Sequence, residues 1–203
     1  MDPSTPVLCL ASVSPRRREL LSQIGVPHIV AGADIDERVL PGEIPREYVT
    51  RLAREKALAV RGGGQLLPVL AADTTVVLDG LVFGKPRDRV DAVEMLGRLS
   101  GRSHEVLTAV ALADSRGVAE RVSTSSVRFR ALSVEECFAY WETGEPCDKA
   151  GGYAIQGLGA VFIESLSGSY SAVMGLPLFE TGQLLQAAGI EYWGAAFSRR
   201  ARP

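Results

Sequence analysis

The sequence predicts an α/β domain on a mixed β-sheet, and three observations lead there. The apolar run Val7-Leu8-Cys9-Leu10-Ala11 is followed at once by a segment of helical period, the strand-then-helix opening of an α/β fold. Strand-like and helix-like segments then keep alternating, and no repeat or low-complexity tract interrupts them. Asp79-Gly80, the strongest two-residue turn signal in the chain, lies between β-branched runs. It places a hairpin in the sheet, which is therefore mixed and not purely parallel.

Each element has its own local reason. Val7 to Ala11 reads as a strand buried on both faces. Pro15 to Ile24 reads as a helix: Ser14 is a good N-cap, Pro15 takes the first helical position, Leu20, Leu21 and Ile24 form the apolar stripe, and Gly25 with Pro27 ends it. A second strand is predicted near His28 to Ala31, then a loop of acids and turn residues from Asp34 through Pro45. A longer helix from about Arg46 to Val60 stops before Gly62-Gly63-Gly64. Val69 to Ala72 and Val76 to Leu78 read as strands, returning across the hairpin as Leu81-Val82-Phe83. Arg89 to Leu99 is helical, and Glu105 to Leu112 and Val118 to Phe129 are two longer strands around Ser115-Arg116-Gly117. Ser133-Val134-Glu135-Glu136 is a capping box that opens the helix carrying Phe138 and Trp141. A glycine-rich stretch from Ala150 to Gly159, a strand at Ala160 to Glu164 and a helix from Pro177 to Ala188 follow, and 198–203 is predicted to be a frayed tail.

The 203 residues suit one domain, or one domain with two lobes around a cleft. With 46% hydrophobic and 23% charged residues the chain can bury a core and is not disordered. A formal net charge of -2 argues against a general nucleic-acid or membrane-surface binder. No apolar run approaches the roughly 20 residues that span a bilayer, and Met1 to Pro6 lack the regions of a signal peptide, so a cytoplasmic protein is expected. Cys9, Cys137 and Cys147 form no C-x-x-C pair and are read as reduced, mostly buried thiols. Homodimerisation is left open.

Several common mechanisms are excluded by what the sequence lacks. It has no G-x-x-x-x-G-K-[ST], no G-x-S-x-G and no H-E-x-x-H. With His28 and His104 the only imidazoles, a histidine-based triad is not expected, and His28 reads as a core or edge residue.

Four constellations remain. Ser12-Val13-Ser14-Pro15-Arg16-Arg17-Arg18 puts hydroxyls and guanidiniums at a helix N-terminus, where free N–H groups attract anions. Cations at the positive end of a helix are otherwise unfavourable, which favours phosphate as their ligand over a solvated cluster. Only three of the 22 basic residues are lysines, Lys56, Lys85 and Lys149. Lys56 lies on or beside the inward stripe Val49, Leu52, Ala53, Ala57 and Val60, so either its stem snorkels or its ammonium meets a carboxylate or phosphate. Asp73 and Lys85 end at one edge of the hairpin on opposite faces, and a bulge at Gly84 is expected to let them converge. Asp73 ends a buried strand as a turn acid, or as a base or metal ligand aimed into a cleft. Lys149-Ala150-Gly151-Gly152-Tyr153-Ala154-Ile155-Gln156-Gly157 allows close backbone approach, with Gln156 offering donor and acceptor to a planar base, and is equally a tight turn into a strand.

Taken together, Leu10-Ala11-Ser12-Val13-Ser14-Pro15-Arg16-Arg17-Arg18-Glu19-Leu20-Leu21, Asp36-Glu37, Ala53-Arg54-Glu55-Lys56-Ala57, Ala72-Asp73-Thr74-Thr75-Val76, Gly84-Lys85-Pro86 and the 149–157 stretch resemble, in order, the motifs of the Maf family of nucleoside triphosphate pyrophosphatases, historically called septum formation inhibitors. The resemblance runs from about Val7 to Leu185. It implies an inosine-triphosphatase-like fold with two lobes around a nucleotide cleft, and Asp73 as proton acceptor working with a divalent cation; that cation is expected to be Mg²⁺ or Mn²⁺, held by Asp73 with Glu37 as a second candidate ligand. It also implies that Ser12, Ser14, Arg16, Arg17, Lys56 and Lys85 neutralise the triphosphate. Arg16, Thr74 and Gln156 are the residue set of the dTTP/UTP branch, whereas the 7-methyl-GTP branch carries an aromatic where Arg16 stands. Thr74 and Gln156 are expected to meet the O4 and N3–H edge of uracil or thymine. Cys147-Asp148 before Lys149 departs from the family pattern, where a glycine often precedes the lysine. A non-enzymatic, nucleotide-binding regulator of septum formation is the alternative of another class.

Overall fold

A computed structural model describes residues 5–193, and the tail at 198–203 lies outside them. The elements in chain order are β1 (Leu8–Ala11), α1 (Pro15–Gln23), β2 (His28–Ala31), α2 (Pro45–Gly62), β3 (Val69–Leu78), β4 (Leu81–Phe83), α3 (Arg89–Leu99), β5 (Ser103–Asp114), β6 (Gly117–Phe129), α4 (Val134–Glu142), β7 (Ile163–Ser167), α5 (Tyr170–Met174) and α6 (Leu178–Ala187). The seven strands form one mixed sheet ordered β2-β1-β3-β5-β6-β7, with β4 on the other edge of β3 from β5. β1 runs parallel to β2 and β3, and the remaining pairs are antiparallel.

Alternation along the central strands divides the core. Leu8, Leu10, Leu70 and Leu112 pack with α1 and α6 on one face, and Cys9, Val69, Ala71 and Ala111 pack with Val49, Ala53 and Ala57 of α2 on the other. A third cluster, with Val76, Val106, Phe129, Leu96 and Tyr140, joins the far ends of β3, β5 and β6 to α3 and α4. Thr74 and Thr108, directly paired across β3 and β5, fall between the first cluster and the third.

The cleft opens where β3 loses its neighbour. β1 pairs with β3 at Val69 and Leu70 only, and β4 takes the same edge from Val76. Residues 71–75 are left beside the C-terminal end of β1, which lies between β2, reached through α1 on one side, and β3, reached from β2 through α2 on the other. Open α/β sheets bind ligands at such a switch point.

Two expectations are corrected here. Val69–Ala72 and Val76–Leu78 are one ten-residue strand, because Thr74 and Thr75 are good strand formers and keep unbroken pairing with β5, so Asp73 is mid-strand and does not end one. The strand expected at Ala160–Glu164 begins at Ile163, after a 3₁₀ turn over Leu158–Phe162. α4 buries Cys137 and Tyr140, while Phe138 stacks under Arg89 at the surface side. Helix α5 has no counterpart among the predicted elements. The Ser133–Glu136 capping box forms in full, Cys9 and Cys137 are buried thiols, and Cys147 is exposed. Among the described residues no helix is long and apolar enough to cross a membrane.

Candidate active site

The cleft has a volume of about 580 Å³, within the range of small-ligand sites. All ten of the residues singled out for chemistry line it: Ser12, Ser14, Arg16, Arg17, Glu37, Lys56, Asp73, Thr74, Lys85 and Gln156. With Lys149 and Asp148 it presents five cations to three carboxylates, a balance suited to a polyanion.

Its floor is an acid–lysine–acid group. Lys56, on the sheet-facing stripe of α2, does not snorkel: its Nζ lies 2.7 Å from Asp73 Oδ1 and 2.6 Å from Glu37 Oε1. Asp73 faces α2 because its position in β3 shares the parity of Val69, Ala71 and Val77. Burial pushes the Asp73 carboxyl above its ordinary pKa, against the pull of Lys56 and Arg17. Burial acts in the same direction on Glu37, but there the Lys56 hydrogen bond and charge, with Lys85 and Arg17, prevail and hold it below the ordinary value. The two acids thus differ: Asp73 is the more basic and the more buried.

The wall at α1 is cationic. Ser14 occupies the N-cap position, yet its hydroxyl makes no cap hydrogen bond; instead its N–H donates to Ser12 Oγ at 3.2 Å. Arg17 Nε donates to the Gly175 carbonyl at 2.8 Å, and its terminal nitrogens to Ser12 Oγ and Thr74 Oγ1, each at 3.4 Å. Gly175 ends α5 at φ 117°, and a Cβ there would sit 3.4 Å from Arg17 Nε. Arg16 reaches Asp148 across the mouth at 3.5 Å. Arg18, part of the predicted anion cluster, is exposed and outside the cleft, since successive helix residues point about 100° apart.

Lys85 reaches the cleft without the expected bulge. Pairing of β3 with β4 ends at Val76 and Phe83, so Gly84 and Lys85 have left the strand, and Gly84 O instead accepts the Gly151 N–H at 3.0 Å. Gly151 is at φ 70°, with room for a Cβ only 2.8 Å from Val76 Cγ2, so the glycine is required twice over.

Gln156 is carried on a segment fixed at both ends. Tyr140 Oη accepts the Ala154 N–H at 3.1 Å and donates to Glu145 Oε1 at 2.6 Å; the Glu145 carboxylate accepts the N–H groups of Leu158 and Gly159, both at 2.9 Å. Tyr153 Oη meets buried His104 Nε2 at 2.8 Å. Lys149 pairs with Asp148 and donates to Glu145 O at 3.1 Å, so it staples this loop. Tyr48 and Asp148 were not foreseen in the sequence. The Tyr48 hydroxyl donates to Glu37 O at 3.0 Å, and burial with the nearby charges of Asp73 and Glu37 pushes its pKa up to about 12.

A cationic cleft at the switch point of a mixed sheet, floored by a buried acid, defines an α/β protein built to hold a polyphosphate. The chain belongs to the family described as Maf-like protein, whose model matches residues 7–188. It is 53% identical over 195 residues to the dTTP/UTP pyrophosphatase of Hahella chejuensis (strain KCTC 2396), covering 95% of this chain and 97% of that one. Against the dTTP/UTP pyrophosphatase of Saccharophagus degradans it is 53% identical over 193 residues, with 92% and 90% covered. The enzyme of the same name from Bordetella parapertussis is 54% identical over 196 residues, with 91% and 94% covered.

Proposed function

We propose that this chain hydrolyses dTTP and UTP to the monophosphate and pyrophosphate, with Asp73 as the proton acceptor for the attacking water. The observation that carries the reading is the acid–lysine–acid floor: a carboxylate raised in pKa by burial, at the base of a cleft otherwise lined by cations. An acid in that position repels a polyphosphate unless it serves the chemistry. Phosphoryl transfer depends on positioning and charge more than on covalent help, which fits a cleft lined by neither His nor Cys.

In this reading the hydroxyls of Ser12 and Ser14, the first-turn amides of α1 and the side chains of Arg16, Arg17 and Lys85 hold the triphosphate. Asp73 orients the water and takes its proton as the oxygen attacks the α-phosphorus, and pyrophosphate leaves. Lys56 fixes the Asp73 carboxylate and supplies positive charge beside the reacting group. The donor set fits a divalent cation: Asp73 and Glu37 already converge on one cationic centre, Lys56 Nζ. No group of three or more His, Cys, Asp or Glu forms a metal cage among the described residues, and Mg²⁺ is commonly held by one or two carboxylates together with substrate phosphates. Bound there, Mg²⁺ or Mn²⁺ would polarise the α-phosphate. A cytoplasmic location goes with this substrate class.

A panel of nucleoside triphosphates with Mg²⁺ or Mn²⁺, read for pyrophosphate, tests the proposal. Pyrophosphate from UTP and dTTP well ahead of CTP and 7-methyl-GTP is expected. Two inorganic phosphates without pyrophosphate, or binding of UTP with no turnover, would refute it.

A further inference from the structure

Glu37 is carried on a segment with no regular structure of its own. Residues 32–44, between β2 and α2, form neither helix nor strand, and Val39, Leu40 and Ile44 are about half exposed, so little apolar burial seats them. Two side chains one turn apart on α2 hold the segment instead. Tyr48 Oη donates to the Glu37 carbonyl at 3.0 Å, and Arg51 Nη2 donates to the next carbonyl along the chain, Arg38 O, also at 3.0 Å. Arg51 is itself fixed: its Nε and Nη2 fork onto the Glu43 carboxylate at 2.6 and 2.9 Å, and its Nη1 reaches Glu55 at 3.2 Å. The Glu43 carboxylate also accepts the Leu40 N–H at 3.0 Å, and the Glu43 N–H donates to Leu40 O at 3.0 Å, which closes the turn containing Gly42 at φ 78°.

We infer that Tyr48 and Arg51 are positioning residues for cation binding: by gripping two successive backbone carbonyls they hold Glu37 where it can share a cation with Asp73. The inference rests on the reading above that these two acids take a divalent cation, and adds what makes the looser of them a ligand. Asp73 needs no such device, since it lies mid-strand in β3 and is buried. The Glu37 side chain is half exposed and is bound to Lys56 Nζ at 2.6 Å. A cation that takes up this carboxylate competes with the ammonium, so Lys56 alone does not keep Glu37 in place once the cation is bound. Contacts to the backbone do, because they leave both carboxylate oxygens free. A loop anchored only for stability is served by a grip anywhere along it, whereas here the grip falls on Glu37 itself and on its neighbour. Lysine is a poor substitute at position 51, since one nitrogen cannot span Glu43, Glu55 and Arg38 O as the planar fork does.

The test measures Mn²⁺ binding without nucleotide, from the electron paramagnetic resonance signal of the free ion, with thermal unfolding followed on every variant. Tyr48→Phe removes a single hydroxyl, and Arg51→Lys keeps a cation for Glu43; each is expected to weaken Mn²⁺ binding about tenfold. Added to Glu37→Gln, Tyr48→Phe is expected to cost nothing further, because it acts only through Glu37. UTP binding measured without divalent cation is expected to hold in Tyr48→Phe. Unchanged Mn²⁺ binding in Tyr48→Phe would overturn the inference, and so would a loss that persists in the Glu37→Gln background. An equal loss of metal-free UTP binding would overturn it too, since the two residues would then support the cleft in general. If Arg51→Lys does not fold, Tyr48→Phe decides alone. Failure of the underlying reading looks different: the unaltered protein would then bind Mn²⁺ no better than Glu37→Gln does.

Discussion

His104 ties the stability of the fold to pH in a way that can be worked through. The ring is 2% exposed, stacked edge-on against Phe129 and Tyr153, and its Nδ1 has no hydrogen-bond partner among the described residues. Burial lowers its pKa from 6.5 to about 4, because the charged form would have to be desolvated. A base whose folded pKa is depressed binds protons more readily when unfolded, so its penalty is absent above the unfolded value. It grows as pH falls from 6.5 and levels off below about 4. At about pH 5 the two pKa values correspond to roughly 2 kcal/mol of lost stability. Urea unfolding at about pH 7.5 and about pH 5 measures this, with His104→Gln as the reference that cannot titrate and retains a polar partner for Tyr153 Oη. The unaltered protein should lose about 2 kcal/mol more than the variant between the two conditions. Equal losses would show that the ring stays neutral in both states or finds solvent when charged, and the burial argument would fail.

Two substitutions probe the cleft itself. Gly157 has an ordinary φ of −117°, so alanine there strains no backbone, but its Cβ would lie 2.1 Å from Glu145 Oε2 and displace a carboxylate that holds Tyr140, Leu158 and Gly159. Gly157→Ala should cost about 3 kcal/mol in thermal unfolding and raise KM for UTP more than it lowers kcat, and an unchanged melting temperature would refute the clamp. Lys56→Met leaves Asp73 and Glu37 facing each other without their shared cation, which should abolish most turnover and destabilise the protein by about 3–5 kcal/mol. Mg²⁺ or Mn²⁺ should recover part of that loss in a melting experiment without nucleotide, and no response to either would mean that the two acids do not form a cation site.

The local signals in the sequence were of two kinds. Ser12 to Arg17 could be read directly because a strand end, a proline at the first helical position and the anion-seeking residues are contiguous. Lys56 could be narrowed to two outcomes by helical period alone, but choosing between them needed Glu37 and Asp73, 19 and 17 residues away. Lys85 was misjudged in its means because register arguments presume that the strand continues, and tertiary contact with Gly151 ends it at Phe83. Helix α5 is five residues with little periodicity, stabilised by its Ser169 cap and by Thr108 from a strand more than 60 residues earlier. The Glu145 clamp spans only 5 to 14 residues, yet it has no sequence signal, because it is made of common residues and backbone amides that no periodicity brings together.

The central claim is that Asp73 performs the chemistry and is more than a partner for Lys56. Asp73→Asn keeps the volume and removes the negative charge, while Lys56 retains Glu37 at 2.6 Å, so the fold should survive. Turnover of UTP should fall by about 10²–10⁴, and UTP binding measured without divalent metal should hold or tighten, because a carboxylate near the phosphates has gone. Near-full turnover in this variant, with the fold intact, would contradict the account and leave Asp73 a structural acid.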